Sequence, residues 1–260
     1  MTRSKLTRLA PHLWPALKAA PALFGPLVVT ATIIWAKLEY AAAHQQEVAN
    51  SPATISEAAS DPAIAGTFAN CALIAEALLA CGIWGLFKLL LGLIDGGLSP
   101  SESARSWSRR ALIFCAACQY LGVIGLVLLS EWPSHTNSNV HMVGSYLLFF
   151  GHSVGIAVCG GLCAFLLRHG DVAGYIGRVH VAAAIWVMAS ALLFLALFIL
   201  KDTPLPIERY WLLLSFTSVE MILSLSLAGY LALFSAGVFR WQLEVERSRK
   251  ERRWQTQQTG

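Results

Sequence analysis

Six stretches of this chain are too long and too apolar for an ordinary soluble core. They cover approximately residues 20–42, 66–94, 111–130, 140–167, 179–200 and 211–239. About 20 predominantly apolar residues in a helix cross a hydrocarbon core of about 30 Å. Within that core, only helices and closed barrels satisfy their own backbone groups. The predicted fold class is therefore all-α, a polytopic transmembrane six-helix bundle over residues 1–239, with a basic cytoplasmic tail at 240–260. The fourth and sixth spans exceed the required length and are expected to tilt or protrude. Composition agrees: 56% of the 260 residues are hydrophobic and 13% charged, where soluble domains carry about 25% charge.

The basic residues orient the bundle. Arg3, Lys5, Arg8 and Lys18 precede the first span, and Arg105, Arg109 and Arg110 lie between the second and third. Arg168 and Arg178 lie between the fourth and fifth. Arg240, Arg247, Arg249, Lys250, Arg252 and Arg253 follow the sixth. Six spans put all of these on one side, whereas the opposite side holds Lys37, Lys201 and Arg209. Cytoplasmic segments carry the excess of Lys and Arg, so both termini are expected in the cytoplasm. Trp107, Trp132, Trp211 and Trp241 fall at span edges, where amphipathic rings prefer the headgroup zone. The start of the chain resembles the basic region of a signal peptide. It lacks a convincing cleavage site, and the following apolar stretch is read as a retained first helix.

All six cysteines (Cys71, Cys81, Cys115, Cys118, Cys159 and Cys163) lie inside apolar runs. They are expected as small packing residues, with no disulfide framework and no metal site. No cofactor is implied. Paired haems would need histidines on facing spans, and only His180, at a span edge, is available beside His141 and His152. The basic tail is accounted for by topology and by contact with anionic lipid, so no nucleic-acid partner is implied. Pro21, Pro26, Pro52, Pro62, Pro100, Pro133, Pro204 and Pro206 are expected in loops or first turns, where proline costs a helix least.

Two patterns inside the spans stand out. Gly151, Gly155, Cys159 and Cys163 recur every four residues, a small-residue stripe that lets helix backbones approach in lipid. An intramolecular contact is the preferred reading and a homo-oligomer face the other. Glu76, Gln119, His152 and Glu220 all fall about 15 Å deep at ~1.5 Å per residue. Ionisable groups at that depth are costly unless paired, neutral or facing water, so these four are expected to turn inward and meet. A structural polar core, a proton or lipid-headgroup site, and a Glu/His centre are the readings left open.

A family resemblance then emerges. Ile55-Ser56-Glu57, followed by Pro62 and Phe68, resembles the element that enters the second helix of the DRAM/Frag/Sfk membrane proteins. Val140-His141-Met142-Val143-Gly144-Ser145, followed by Phe149, is similar to that family's fourth-helix element, with Ser145 standing where Ala is usual. Gln119-Tyr120-Leu121-Gly122 occupies the place of its third-helix element. The resemblance implies a eukaryotic endomembrane (Golgi, ER or lysosome) or plasma-membrane protein. Its implied roles range over autophagy, GPI-anchor remodelling and phosphoinositide organisation. The matched residues Ser56, Glu57, Asp61, Pro62, His141 and Gly144 are expected to form one outer-face unit. Ser56 or Asp61 would cap the approach to the second helix, and His141 would pair with Glu57 or Asp61. The preferred function is a non-enzymatic organiser or sensor of membrane lipids or protein partners. A lipid-modifying enzyme or small transporter using Glu76, His152 and Glu220 is the alternative.

Overall fold

The computed structural model describes residues 3–95, 101–169, 174–201, 203 and 208–259. Side chains are described for 20–95, 101–168, 177–201, 203 and 208–240, and for Glu244 and Arg247. The side chains of Arg3, Lys5, Arg8, Lys18, Trp241, Arg249, Lys250, Arg252 and Arg253 lie outside these, as do Pro100, Pro204 and Pro206 entirely.

Eight helices make up the described chain: α1 (Arg3–Ala43), α2 (Gln45–Asn50), α3 (Ile55–Ser60), α4 (Ala65–Leu93), α5 (Glu102–Glu131), α6 (Ser138–His169), α7 (Gly174–Leu200) and α8 (Arg209–Thr259). No strand occurs among the described residues. Six of the helices contain a segment long and apolar enough to span a membrane: Ala20–Ala43, Ala65–Leu93, Glu102–Glu131, Ser138–Arg168, Gly177–Leu200 and Arg209–Arg240. The protein is an all-helical, multi-pass integral membrane protein.

The six long helices pack in chain order as a ring. α1 lies on α4, α4 on α5, α5 on α6, α6 on α7 and α7 on α8, and α8 closes the ring against α1. Helices joined by short connections pack as antiparallel neighbours, so the even number of spans brings both ends of the chain to one side.

The tightest seam is between α5 and α6. A β-carbon added to Gly151 would stand 2.6 Å from the Gly122 amide nitrogen, and one on Gly144 would stand 2.8 Å from that of Leu129. A β-carbon on Gly155 would meet the Gln119 side chain at 2.6 Å. The small-residue stripe of α6 therefore faces α5 within the same chain. Further along it Cys159 is buried and Cys163 half-buried. All six cysteines are free.

The prolines of the first helix depart from expectation. α1 is continuous from Arg3 to Ala43, so Pro21 and Pro26 both sit inside a helix rather than in a loop or first turn. Membrane helices tolerate proline where a neighbouring helix covers the interrupted backbone. α4 does so here: a β-carbon on Gly82 would lie 2.5 Å from the Ala22 Cα, and one on Gly25 would lie 3.0 Å from Leu79. α5 begins at Glu102, earlier than its apolar run. Ser101 caps it by accepting the Ala104 amide at 3.1 Å, and Arg109 reaches back to Asp95, two residues past the end of α4, 2.7 Å away.

Candidate functional site

The connection between α1 and α4 is folded into the bundle by the short helix α3. Thr54 starts it with a capping box, accepting the Glu57 amide at 3.0 Å while Glu57 Oε2 accepts the Thr54 amide at 2.6 Å. The Thr-x-x-Glu spacing at 54–57 is the sequence signature of such a start, and it was open to detection from the sequence. One side of the helix, Ile55, Ala58, Ala59 and Ser60, is buried.

Polar contacts then tie α3 to the spans around it. The Ile55 amide donates to Glu220 Oε2 on α8 at 2.8 Å. Ser56 Oγ is hydrogen-bonded to His141 Nε2 on α6. The Ser134 amide, ahead of α6, donates to Ser60 Oγ at 3.1 Å. Lys37 of α1 donates to the Ala53 carbonyl. Just beyond α3, Asp61 accepts His44 Nε2 at 2.8 Å and the Ala63 amide at 2.8 Å. Burial works to raise the Asp61 carboxyl, but these two hydrogen bonds outweigh it and hold the group below its ordinary value.

This geometry corrects the expected pairing of His141. Its partners are Ser56 and the Trp132 carbonyl, which lies 3.0 Å from Nδ1. Glu57 is turned to the capping box and Asp61 to His44. Asp61 also caps the approach to α4, through the Ala63 amide, whereas Ser56 does not. Pro62 follows on the exposed surface. Gly144 belongs to the α5–α6 seam and not to the polar unit.

The four deep polar residues are all buried, but they form three separate settings. Gln119 and His152 pair with each other: His152 Nδ1 donates to Gln119 Oε1 at 2.6 Å, and Gln119 Nε2 reaches the His152 carbonyl at 3.4 Å. Glu76 accepts Ser130 Oγ at 3.1 Å between α4 and α5. Glu220 serves α3. The reason is largely axial. Ser130, which Glu76 reaches, stands near the end of α5, about 16 Å beyond Gln119 at ~1.5 Å per residue, and Glu220 is level with the roof helix α3. Among the described residues, no group of three His, Cys, Asp or Glu could hold a metal ion.

Beneath α3, between α6, α7 and α8, lies a cavity of about 230 Å³, partly open to the surroundings. One end is polar, with Ser56, Glu57, Ser134, Ser138, His141 and Ser145. The remainder is a wall of Phe149, Phe150, Phe194, Phe198 and Phe216. These rings pack on one another, Phe149 to Phe194 at 4.8 Å and Phe194 to Phe216 at 5.3 Å. Lys201 joins the two halves. Its ammonium sits 4.7 Å from the Phe198 ring and 5.3 Å from the Phe216 ring, a cation–π arrangement. On the α6 wall, Ser153 is 3% exposed, and its hydroxyl has no protein partner among the described residues. Phe150, Phe194, Phe198, Phe216 and Ser153 carry no local sequence signal, because they are scattered over three spans and each is ordinary in its own run. Phe149 and Lys201 stand out in the sequence only as part of a family element and as an outer-side base.

A family model described as the Frag1/DRAM/Sfk1/Cwh43P N-terminal domain matches residues 15–237. The chain belongs to this family. No curated protein and no solved structure matches it. Two of the family elements meet at one place: Ile55-Ser56-Glu57 form the first turn of α3, and Ser56 is hydrogen-bonded to His141, whereas Gln119 and Gly144 lie on the α5–α6 seam. In this Frag1/DRAM chain the meeting residues form the polar roof of the cavity.

Proposed function

We propose that the protein binds a membrane lipid in the cavity beneath α3 and acts as an organiser or sensor of lipids in the endomembrane system or plasma membrane. The carrying observation is that the cavity has a polar end and an aromatic, apolar body, which matches an amphiphile with a headgroup and a chain. Ligand sites are commonly concave and mostly apolar, with a few placed polar groups that fix orientation. The headgroup lies among Ser56, Ser138, His141 and Lys201, and the chain lies along Phe149, Phe194 and Phe216. The excess of basic residues toward the other end supports a non-cytoplasmic orientation for this end of the bundle, with the lipid drawn from that leaflet. Roles in autophagy or GPI-anchor remodelling are those to which family membership points.

The separation of Glu76, His152 and Glu220 favours this reading over a transporter built on the three, since a relay requires them within reach of one another. Photoactivatable phospholipid with a diazirine in its acyl chain tests the proposal in membranes. Cross-links should concentrate on cavity residues of α6, α7 and α8. Cross-links spread evenly around the outer perimeter of the bundle would contradict it.

A further inference from the structure

A hydrogen-bonded serine–histidine pair opens onto this cavity, and its second ring nitrogen is already engaged. The Trp132 carbonyl can only accept, so the proton on His141 sits on Nδ1, 3.0 Å away. In the neutral ring Nε2 is then an acceptor, and it faces the Ser56 hydroxyl. A nucleophile within hydrogen-bond reach of a base, with the base oriented by a third group, is the arrangement that activates serine. His141 is 6% exposed and held in place, yet both it and Ser56 line the cavity. A purely structural clasp would not require either group to face a lipid-sized opening.

We propose that Ser56 and His141 form an acyl-transfer dyad acting on the carboxylic ester of a lipid bound in the cavity. The proposal rests on lipid occupancy of that cavity and adds chemistry to it. Ser56 Oγ attacks the ester carbonyl carbon as its proton passes to His141 Nε2. The bond from that carbon to the alcohol oxygen breaks, and the leaving alcohol takes the proton from Nε2. The acyl group is then carried on Ser56 with its chain along the phenylalanine wall. A hydroxyl acceptor, water or a lipid alcohol, gives its proton to Nε2 and attacks the acyl carbon. Ser56 Oγ leaves and recovers the proton. No redox partner is needed. Lys201 on the same lining contributes a positive field that favours the oxyanion formed at each attack.

Fixation of Ser56 itself is measurable. The full chain in detergent or nanodiscs is treated with a long-chain alkyl fluorophosphonate, and the labelled peptide is mapped by mass spectrometry. The wild type should be labelled at Ser56. Ser56→Ala should abolish the label, and His141→Gln should slow it by about a hundredfold or more. Ser51→Ala, at an exposed serine outside the cavity lining, should label as the wild type does. α3 keeps its Glu220, Ser134 and capping-box contacts in Ser56→Ala, so that variant should retain the wild-type melting temperature within a few degrees and still cross-link the photoactivatable lipid. An unlabelled wild type, label on another serine, or an unchanged rate in His141→Gln would overturn the dyad. Loss of lipid cross-linking in the wild type would instead remove the binding reading.

Discussion

The amide of Ile55 donates to the carboxylate of Glu220 at 2.8 Å, joining residues 165 positions apart. This bond inserts the first turn of α3 into the ring of spans and roofs the cavity. Removing the acceptor leaves a buried amide unpaired, which costs about 1–3 kcal/mol. Glu220→Leu should therefore lower the melting temperature in detergent and raise hydrogen exchange over residues 54–60. Glu220→Gln keeps an acceptor oxygen and should stay close to wild type in both measurements.

The α5–α6 seam is closed by backbone rather than by movable side chains. A side chain at Gly151 would meet the Gly122 nitrogen at 2.6 Å and the Cys118 carbonyl at 2.9 Å. Overpacking of this kind costs about 1–3 kcal/mol or more. Gly151→Leu should lose thermal stability and monodispersity on size exclusion. Gly161→Leu, where nothing lies within 4 Å, should match wild type.

Gln119 and His152 act as one unit. Each single leucine substitution strands the partner's buried polar group, at about 1–3 kcal/mol. The double substitution strands neither. A double-mutant cycle of unfolding stability should show the pair costing less than the sum of its singles. Strict additivity would mean that the two side chains do not interact.

Asp61 lies outside the spans and carries a pH signature. Its carboxyl is held below the ordinary value by the Ala63 amide and His44 against the opposing effect of burial. A depressed folded pKa contributes stability that is present above the unfolded value of about 4 and lost as pH falls through the folded one. Wild type should lose melting temperature below about pH 4, relative to pH 7, more steeply than Asp61→Asn. Parallel acid limbs for the two proteins would contradict this role.

The spans were legible because burial in lipid writes itself into run length, and the α6 stripe because backbone approach requires small residues at a fixed interval. Depth counted from the ends of the apolar runs was not readable to within a helix turn or two. Glu76 meets Ser130 and Glu220 meets α3, whereas His152 meets Gln119 further into the bundle, which is why the three looked like one cluster. The capping box at Thr54 and Glu57 was local and therefore readable. The pairing of His141 with Ser56 was not, since Ser56, 85 positions away, reaches it only after α3 folds inward. The cavity draws single residues from three spans, and no local pattern announces it.

Native mass spectrometry of the chain released from membranes tests the central claim, that a lipid occupies the cavity beneath α3. Wild type should retain a lipid adduct under conditions that strip annular detergent and lipid. Ala191→Trp, which fills the cavity from its α7 wall, should lose the adduct while keeping the melting temperature. A wild type without an adduct, or an Ala191→Trp variant that keeps it undiminished, would contradict the account.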